Sequence, residues 1–82
     1  MPVWHVIWTS RIIEHLAEHG VRQDEFMDVM RDPQRGPERS DSDAQNKVAW
    51  GFTRAGRWLM VVYTHIDAST ILPVTAYEPE QE

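Results

Sequence analysis

Cysteine is absent from this chain of 82 residues, which excludes disulfide bonds and thiolate metal sites, and with them the class of secreted disulfide scaffolds. No apolar run approaches the roughly 20 residues that span a bilayer. The first eight residues lack the basic region and the long apolar stretch of a secretory signal peptide. The sequence therefore predicts a single domain over residues 1–82 that has no membrane segment and works in the cytoplasm.

Basic residues are scarce and unevenly placed. Eight Lys and Arg stand against 13 Asp and Glu, so the formal net charge is −5. Residues 46–77 alone carry a positive balance, and their cations are Lys47, Arg54 and Arg57. A nucleic-acid surface is therefore expected on this part of the chain. The acidic total works against such a surface, because neutralisation of phosphates supplies most of the affinity for nucleic acid.

The first half of the chain predicts one strand and two helices. An apolar run over residues 5–8 suits a strand, and Thr9 or Ser10 can cap the helix that follows it. Gly20 is suited to the left-handed residue that ends this helix. A second amphipathic helix is closed by Asp32-Pro33, since the residue before proline avoids the helical region. Its inward side chains are predicted to be Phe26, Val29 and Met30.

Two segments are predicted to have no regular structure. Residues 34–45 are rich in Gly, Pro, Ser, Asp, Gln and Arg, which is typical of a mobile loop and here not of a linker between domains. Residues 79–82 form an acidic tail. We find no internal repeat and no low-complexity stretch that would indicate a repeat protein.

Three further strands are predicted to form a meander. Residues 58–66 are long and apolar enough for a central strand, and Ala55-Gly56 lies in the hairpin turn before it. In the last strand, over residues 70–77, Pro73 argues for an edge position or a bulge. Alternating apolar residues predict the first strand of the three: Val48, Trp50 and Phe52. The expected fold is α+β in the order β-α-α-β-β-β, with two short helices packed on one face of a small, mainly antiparallel sheet.

Five features, in this order along the chain, carry a resemblance to a known family. They are the His19-Gly20-Val21 corner, Asp32-Pro33, Gly51, the Gly56-Arg57 turn and the run Val61-Val62-Tyr63-Thr64. In their order and spacing they resemble the BrnT family of small toxins, which have the RelE-type ribonuclease fold. The resemblance implies cleavage of RNA without a metal or other cofactor, and neutralisation by an antitoxin protein, expected to be a small DNA-binding partner.

Metal-free cleavage of RNA needs a base, an acid and cations around the phosphorus. Tyr63 and His65 are two residues apart on a predicted strand and therefore point to one face. His19 lies at the corner that the resemblance marks. The candidate catalytic residues are His19, Lys47, Arg57, Tyr63 and His65. The candidate RNA-binding residues are Lys47, Arg54 and Arg57.

Each candidate also has an ordinary structural interpretation. Arg54 and Arg57 flank a hairpin turn, where charges are commonly solvated. Tyr63 fits a core aromatic, and Lys47 fits a residue that guards a strand against edge pairing. His19 can bond to the last carbonyls of its helix. A purely structural role for all of them stays open beside the catalytic one.

The chain departs from the BrnT pattern at its cations. Glu18 stands where that family has a lysine before the His-Gly corner, and the last strand reads Thr75-Ala76-Tyr77 in place of Ser-Ala-Arg. These differences favour an alternative, a catalytically inert relative that binds a protein. Self-association is also open. The aromatic residues available for such an interface are Trp4, Trp8, Trp50 and Trp58.

One further motif indicates a third class of function. His15-Leu16-Ala17-Glu18-His19 matches the H-x-x-E-H pattern of inverted zinc peptidases, with both histidines on one face of a helix. Such a site needs a third protein ligand. A zinc-dependent hydrolase is therefore the weakest of the three hypotheses, and no metal-binding residues are assigned.

Overall fold

The computed structural model of the chain describes residues 5–39 and 45–79. The fold over these residues is α+β, as predicted. A strand over Arg35–Arg39 lies inside the segment predicted as a mobile loop, so that prediction is wrong for these five residues, while residues 40–44 of the predicted loop lie outside the described part. The elements in chain order are β1 (His5–Val6), α1 (Ser10–Glu18), α2 (Gln23–Arg31), β2 (Arg35–Arg39), β3 (Asn46–Phe52), β4 (Trp58–His65) and β5 (Thr70–Tyr77).

Local sequence signals set the helix ends. The hydroxyl of Thr9 accepts a hydrogen bond from the backbone N–H of Ile12 at 3.2 Å, which caps α1 as predicted. Gly20 follows α1 with a φ of 73°, the left-handed conformation that glycine adopts without strain. At the start of α2, the Glu25 carboxylate accepts from the backbone N–H of Arg22 at 3.1 Å. Each helix has nine residues, and none among the described residues is long and apolar enough to cross a membrane.

The five strands form one sheet in the order β1-β5-β4-β3-β2. Only β1 and β5 are parallel; the other neighbours are antiparallel. The predicted bulge at Pro73 is confirmed, because the register slips between the pairs Val62–Thr75 and Tyr63–Pro73. β1 pairs with β5 at Thr70 and Ile71. Pro73 lies beyond these two residues, on a part of β5 that has β4 on one side and, among the described residues, no pairing with β1 on the other, as suits a proline.

Both helices pack against the sheet, α2 against β3 and β4 and α1 against β5. The three side chains expected to point inward from α2 are buried. Gly51 of β3 lies so close to α2 that an added Cβ would be 3.2 Å from Cγ1 of Val29. The core they share with the sheet consists of Leu16, Val21, Phe26, Val29, Met30, Ala49, Leu59, Val61, Tyr63, Ile71 and Ala76.

The opposite side of the sheet, here called the outer face, is also apolar. On it, three residues of β3 stand directly opposite three of β4, in the pairs Val48–Val62, Trp50–Met60 and Phe52–Trp58. The rings of the last pair have centroids 4.8 Å apart, and Phe52 is 54% exposed. The guanidinium of Arg35, from β2, lies 4.5 Å from the centroid of the Trp50 ring. The alternating residues that predict β3 thus face away from the helices.

Candidate functional site

The catalytic residues predicted from the sequence lie in two groups, one at each end of β4. Arg57 immediately precedes this strand and His65 is its last residue. Eight residues of extended chain separate them by about 26 Å, at roughly 3.3 Å per residue. His19 belongs to the Arg57 end, because Arg57 donates to the carbonyl of the adjacent Gly20. One substrate atom cannot contact both groups.

The group at the His65 end is built around a buried tyrosine. Tyr63 is 1% exposed and lies opposite Lys47 in the register of β3 and β4. Burial raises the pKa of the Tyr63 phenol, which opposes its ionisation. The ring centroids of Tyr63 and His65 are 5.6 Å apart, and Nδ1 of His65 lies 3.3 Å from the carbonyl oxygen of Asp67. Tyr63 is part of the hydrophobic core, whereas His65 is exposed.

Arg54 is held by a carboxylate of α2. Its Nε lies 3.2 Å from Oδ1 of Asp28, and its backbone N–H donates to Oδ2 of the same residue at 3.0 Å. The side chain of Asp28 is 10% exposed, whereas that of Arg54 is 80% exposed. Asp28 thereby ties the β3–β4 turn to α2, and the guanidinium of Arg54 still faces solvent.

Arg57 joins three parts of the chain. Its Nη1 donates to Oε2 of Glu25 at 2.7 Å and to the carbonyl of Gly20 at 3.0 Å, and its Nη2 lies 3.6 Å from Oε2 of Glu78. The hydrogen bond that Arg57 donates to the Glu25 carboxylate is the main cause that raises the pKa of Arg57. Because two carboxylates offset its charge, Arg57 serves chiefly to fix the corner that follows α1 and the chain just after β5.

Next to this corner, α1 and β5 bring four polar side chains together. His15 and His19 are four residues apart on α1, and their ring centroids are 5.0 Å apart. Nε2 of His15 lies 3.0 Å from Oγ1 of Thr75, within hydrogen-bonding distance. The ring centroids of His19 and Tyr77 are 6.2 Å apart. We name His15, His19, Thr75 and Tyr77 the α1–β5 cluster.

Only part of this cluster had a signal in the sequence. The spacing of His15 and His19 predicts that they share a helix face, and His19 was a candidate for catalysis. Thr75 and Tyr77 were not candidates. Their position depends on β5 lying beside α1, and this placement follows from the sheet order.

The structure also bears on the zinc hypothesis. His15 and His19 are close, but among residues 5–39 and 45–79 no group of three or more His, Cys, Asp or Glu could hold a metal ion. A catalytic zinc site uses three protein ligands. The described residues therefore give the H-x-x-E-H motif no third ligand.

A cavity of about 380 Å³ adjoins the α1–β5 cluster. It lies between α1 and the bulge of β5, where Val74 is 38% exposed. His15 belongs to both the cluster and the cavity wall, so a molecule in the cavity would contact this imidazole. The lining residues are Arg11, Ile12, Glu14, His15, Glu18 and Val74.

The α1–β5 cluster combines the groups that acid–base chemistry requires. Histidine is the side chain best suited to accept and donate protons near neutral pH, and two of them lie side by side here. The four residues of the cluster lie at the surface or are half-buried, so a substrate can reach them.

Comparison of the chain with protein-family models, with curated proteins and with solved structures gives no match.

Proposed function

We propose that the protein cleaves RNA without a metal ion, at the α1–β5 cluster, as a toxin of the BrnT type with a RelE-like fold. The observation that carries this proposal is the pair His15 and His19, with ring centroids 5.0 Å apart next to Thr75 and Tyr77. Two adjacent imidazoles can provide the base and the acid that metal-free cleavage of RNA requires.

The reaction needs no external nucleophile. The 2′-hydroxyl of the ribose attacks the neighbouring phosphorus, one imidazole takes the hydroxyl proton, and the other gives a proton to the departing 5′-oxygen. The P–O5′ bond breaks as the P–O2′ bond forms, which leaves a 2′,3′-cyclic phosphate and a free 5′-hydroxyl. Protonated histidine and the hydroxyls of Thr75 and Tyr77 would stabilise charge on the phosphorus oxygens, since Thr75 lies 3.0 Å from His15 and the Tyr77 ring centroid lies 6.2 Å from that of His19.

Arg57 supports this site as a positioning residue. It donates to the carbonyl of Gly20, the residue after His19, and it pairs with Glu78, the residue after Tyr77. The buried Glu25 holds the same guanidinium from α2. One side chain therefore sets the distance between the histidine corner and the end of β5.

Cleavage of a long single-stranded RNA by the purified protein, with and without EDTA, tests the proposal. We expect cleavage in EDTA, ends that carry a 2′,3′-cyclic phosphate, and loss of activity in His15→Ala and His19→Ala. His5→Ala is the matched control, because His5 is exposed on β1 and is not part of the cluster. If activity is lost in His65→Ala and kept in His19→Ala, the reaction takes place at the other end of β4.

The toxin part of the proposal has a cellular test. Expression of the wild-type chain is expected to arrest growth, and His19→Ala is expected to relieve the arrest. The proposed partner is an antitoxin protein that covers the sheet, and the apolar pairs Trp50–Met60 and Phe52–Trp58 of the outer face suit such an interface. Co-expression of a reading frame next to the gene that restores growth would identify this partner.

A second candidate function is an inert protein-binding module, and the outer face favours it. Trp50 and Trp58 lie on that face, whereas Trp8 contacts Phe26 at a ring distance of 5.5 Å and packs against the core; Trp4 lies outside the described residues. Two results together would support this module: the folded protein does not cleave RNA, and it binds the partner in a way that Phe52→Glu abolishes.

A further inference from the structure

The cavity beside His15 has mixed walls that suit a particular kind of ligand. Ile12 of α1 and Val74 of β5 supply apolar surface, while Glu14, Glu18 and Arg11 supply charged groups. Its volume of about 380 Å³ lies within the range, roughly 300–1,000 Å³, that is typical of small-molecule sites. We infer that this cavity binds a guanine base of single-stranded RNA, next to the phosphate that is cleaved. The inference rests on the proposed function and deepens it by naming the substrate.

The position of the cavity relates it to the reaction. His15 lines the cavity and lies 3.0 Å from Thr75 in the α1–β5 cluster. A nucleotide whose base enters the cavity therefore has its ribose and 3′-phosphate near the two imidazoles. The phosphate itself is kept out of the cavity, because the Glu14 and Glu18 carboxylates repel it. An uncharged base has no such penalty, and the apolar walls fit its faces.

The carboxylates distinguish among the four bases. Glu14 and Glu18 are four residues apart on α1, so their Cβ atoms are about 5–6 Å apart on one helix face. A carboxylate accepts two parallel hydrogen bonds, and it donates none when ionised. Guanine alone presents two adjacent donors, N1–H and the 2-amino group. Adenine, cytosine and uracil each place an acceptor next to their donor, which would face a carboxylate oxygen.

Arg11 adds a second element of recognition. Its guanidinium lines the same cavity, and arginine is well suited to donate to the O6 and N7 acceptors of guanine. Guanine thus matches both signs of charge in the cavity, with donors toward a glutamate and acceptors toward the arginine. A bidentate contact of this kind discriminates against a wrong base by roughly tenfold or more.

Binding of the four ribonucleoside 3′-monophosphates to the full chain, measured by calorimetry and by chemical shifts, tests the inference. We expect guanosine 3′-monophosphate to bind at least about tenfold more tightly than the other three. The double variant E14Q/E18Q should lose this preference, and the single variants E14Q and E18Q show which carboxylate reads the base. Glu38→Gln is the matched control for the single variants, because it removes one negative charge on β2, three strands away from β5.

The outcomes separate the inference from the proposed function. Equal affinity for all four nucleotides, no binding of any, or a guanine preference that survives E14Q/E18Q would each overturn the guanine site. Guanine preference that is lost in E14Q/E18Q, in a protein that cuts no RNA, would uphold the site and refute the ribonuclease. RNA cleavage that shows no preference at guanosine would uphold the ribonuclease and refute the guanine site.

Discussion

Replacement of Arg57 by methionine probes the contact that joins the helix corner to the sheet. The substitution keeps an unbranched apolar stem and removes the guanidinium. It leaves the carboxylate of Glu25, whose side chain is only 8% exposed, without its 2.7 Å partner. It also removes the hydrogen bond to the Gly20 carbonyl and the weaker pairing with Glu78. The backbone N–H of Arg22 still donates to Glu25, so this carboxylate is not completely unpaired.

The expected loss of stability lies between two limits. Breaking a buried ion pair by removing one partner costs about 3–5 kcal/mol, and an exposed pair contributes about 0–1 kcal/mol. With Arg57 30% exposed and Glu25 buried, we place the pair at about 2 kcal/mol and the lost hydrogen bond to Gly20 at about 1 kcal/mol. Arg57→Met should therefore lower the free energy of unfolding by about 3 kcal/mol. A chain of this size has a total of only about 4–12 kcal/mol.

Urea denaturation followed by tryptophan fluorescence measures this difference. Arg54→Met is the matched control, because the Arg54 side chain is 80% exposed in its pair with Asp28. We expect this variant to lose less than about 1 kcal/mol of the free energy of unfolding. Glu25→Gln, measured alone and combined with Arg57→Met, completes a double-mutant cycle that isolates the coupling between the two side chains. An Arg57→Met protein as stable as Arg54→Met, or a coupling near zero, would show that the contact between Arg57 and Glu25 does not stabilise the fold. Because of this effect on folding, loss of activity in an Arg57 variant is informative only when its folded fraction is known.

Three other substitutions give further predictions. Because burial raises the pKa of Tyr63, the folded protein keeps the phenol proton at a pH where the unfolded chain has lost it. The free energy of unfolding should therefore fall as pH rises above ~10. Tyr63→Phe should lessen that fall in urea titrations at pH 9 and 11. Gly51→Ala should destabilise by about 1–2 kcal/mol in thermal denaturation, because the new Cβ meets Val29, and an unchanged midpoint would contradict the close packing of α2. Lys47→Ala should cleave RNA like the wild type, since Lys47 lies opposite Tyr63, away from the α1–β5 cluster; inactivity would favour the other end of β4.

Signals that act within a few residues predicted much of the fold. Thr9 caps α1, Gly20 ends it in the left-handed conformation, and Pro73 marks the bulge in β5. The strand β2 was missed because its five residues are all exposed, so its composition resembles that of a loop. β2 is a strand because its backbone pairs with β3 along one edge of the sheet, and this pairing cannot be predicted from the side chains of β2.

The facing of β3 illustrates what composition cannot reveal. Its large alternating residues lie on the outer face, and the small residues Ala49 and Gly51 face the helices. They are small because α2 approaches the strand closely, as the space at Gly51 shows. Periodicity identifies a strand with two different faces, but it does not identify the face on which the helices lie.

The grouping of the site residues depends on the topology of the sheet even more than the strand assignments do. His19 and Arg57, 38 positions apart in the sequence, meet at one corner through Gly20. Tyr63 and His65 were grouped with them because all carry suitable chemistry, yet the length of β4 separates the two sets. Thr75 and Tyr77 join the histidines only because β5 lies beside α1. The catalytic roles of all these residues remain predictions that activity measurements must test.

The most direct test of a metal-free ribonuclease is RNA cleavage in EDTA by four proteins measured side by side. These are the wild type, His15→Ala, His19→Ala and the control His5→Ala, each shown to be folded. We expect 2′,3′-cyclic phosphate ends from the wild type and His5→Ala, and loss of cleavage in both cluster variants. Cleavage that both cluster variants retain, or a folded wild type that leaves RNA intact, would contradict it.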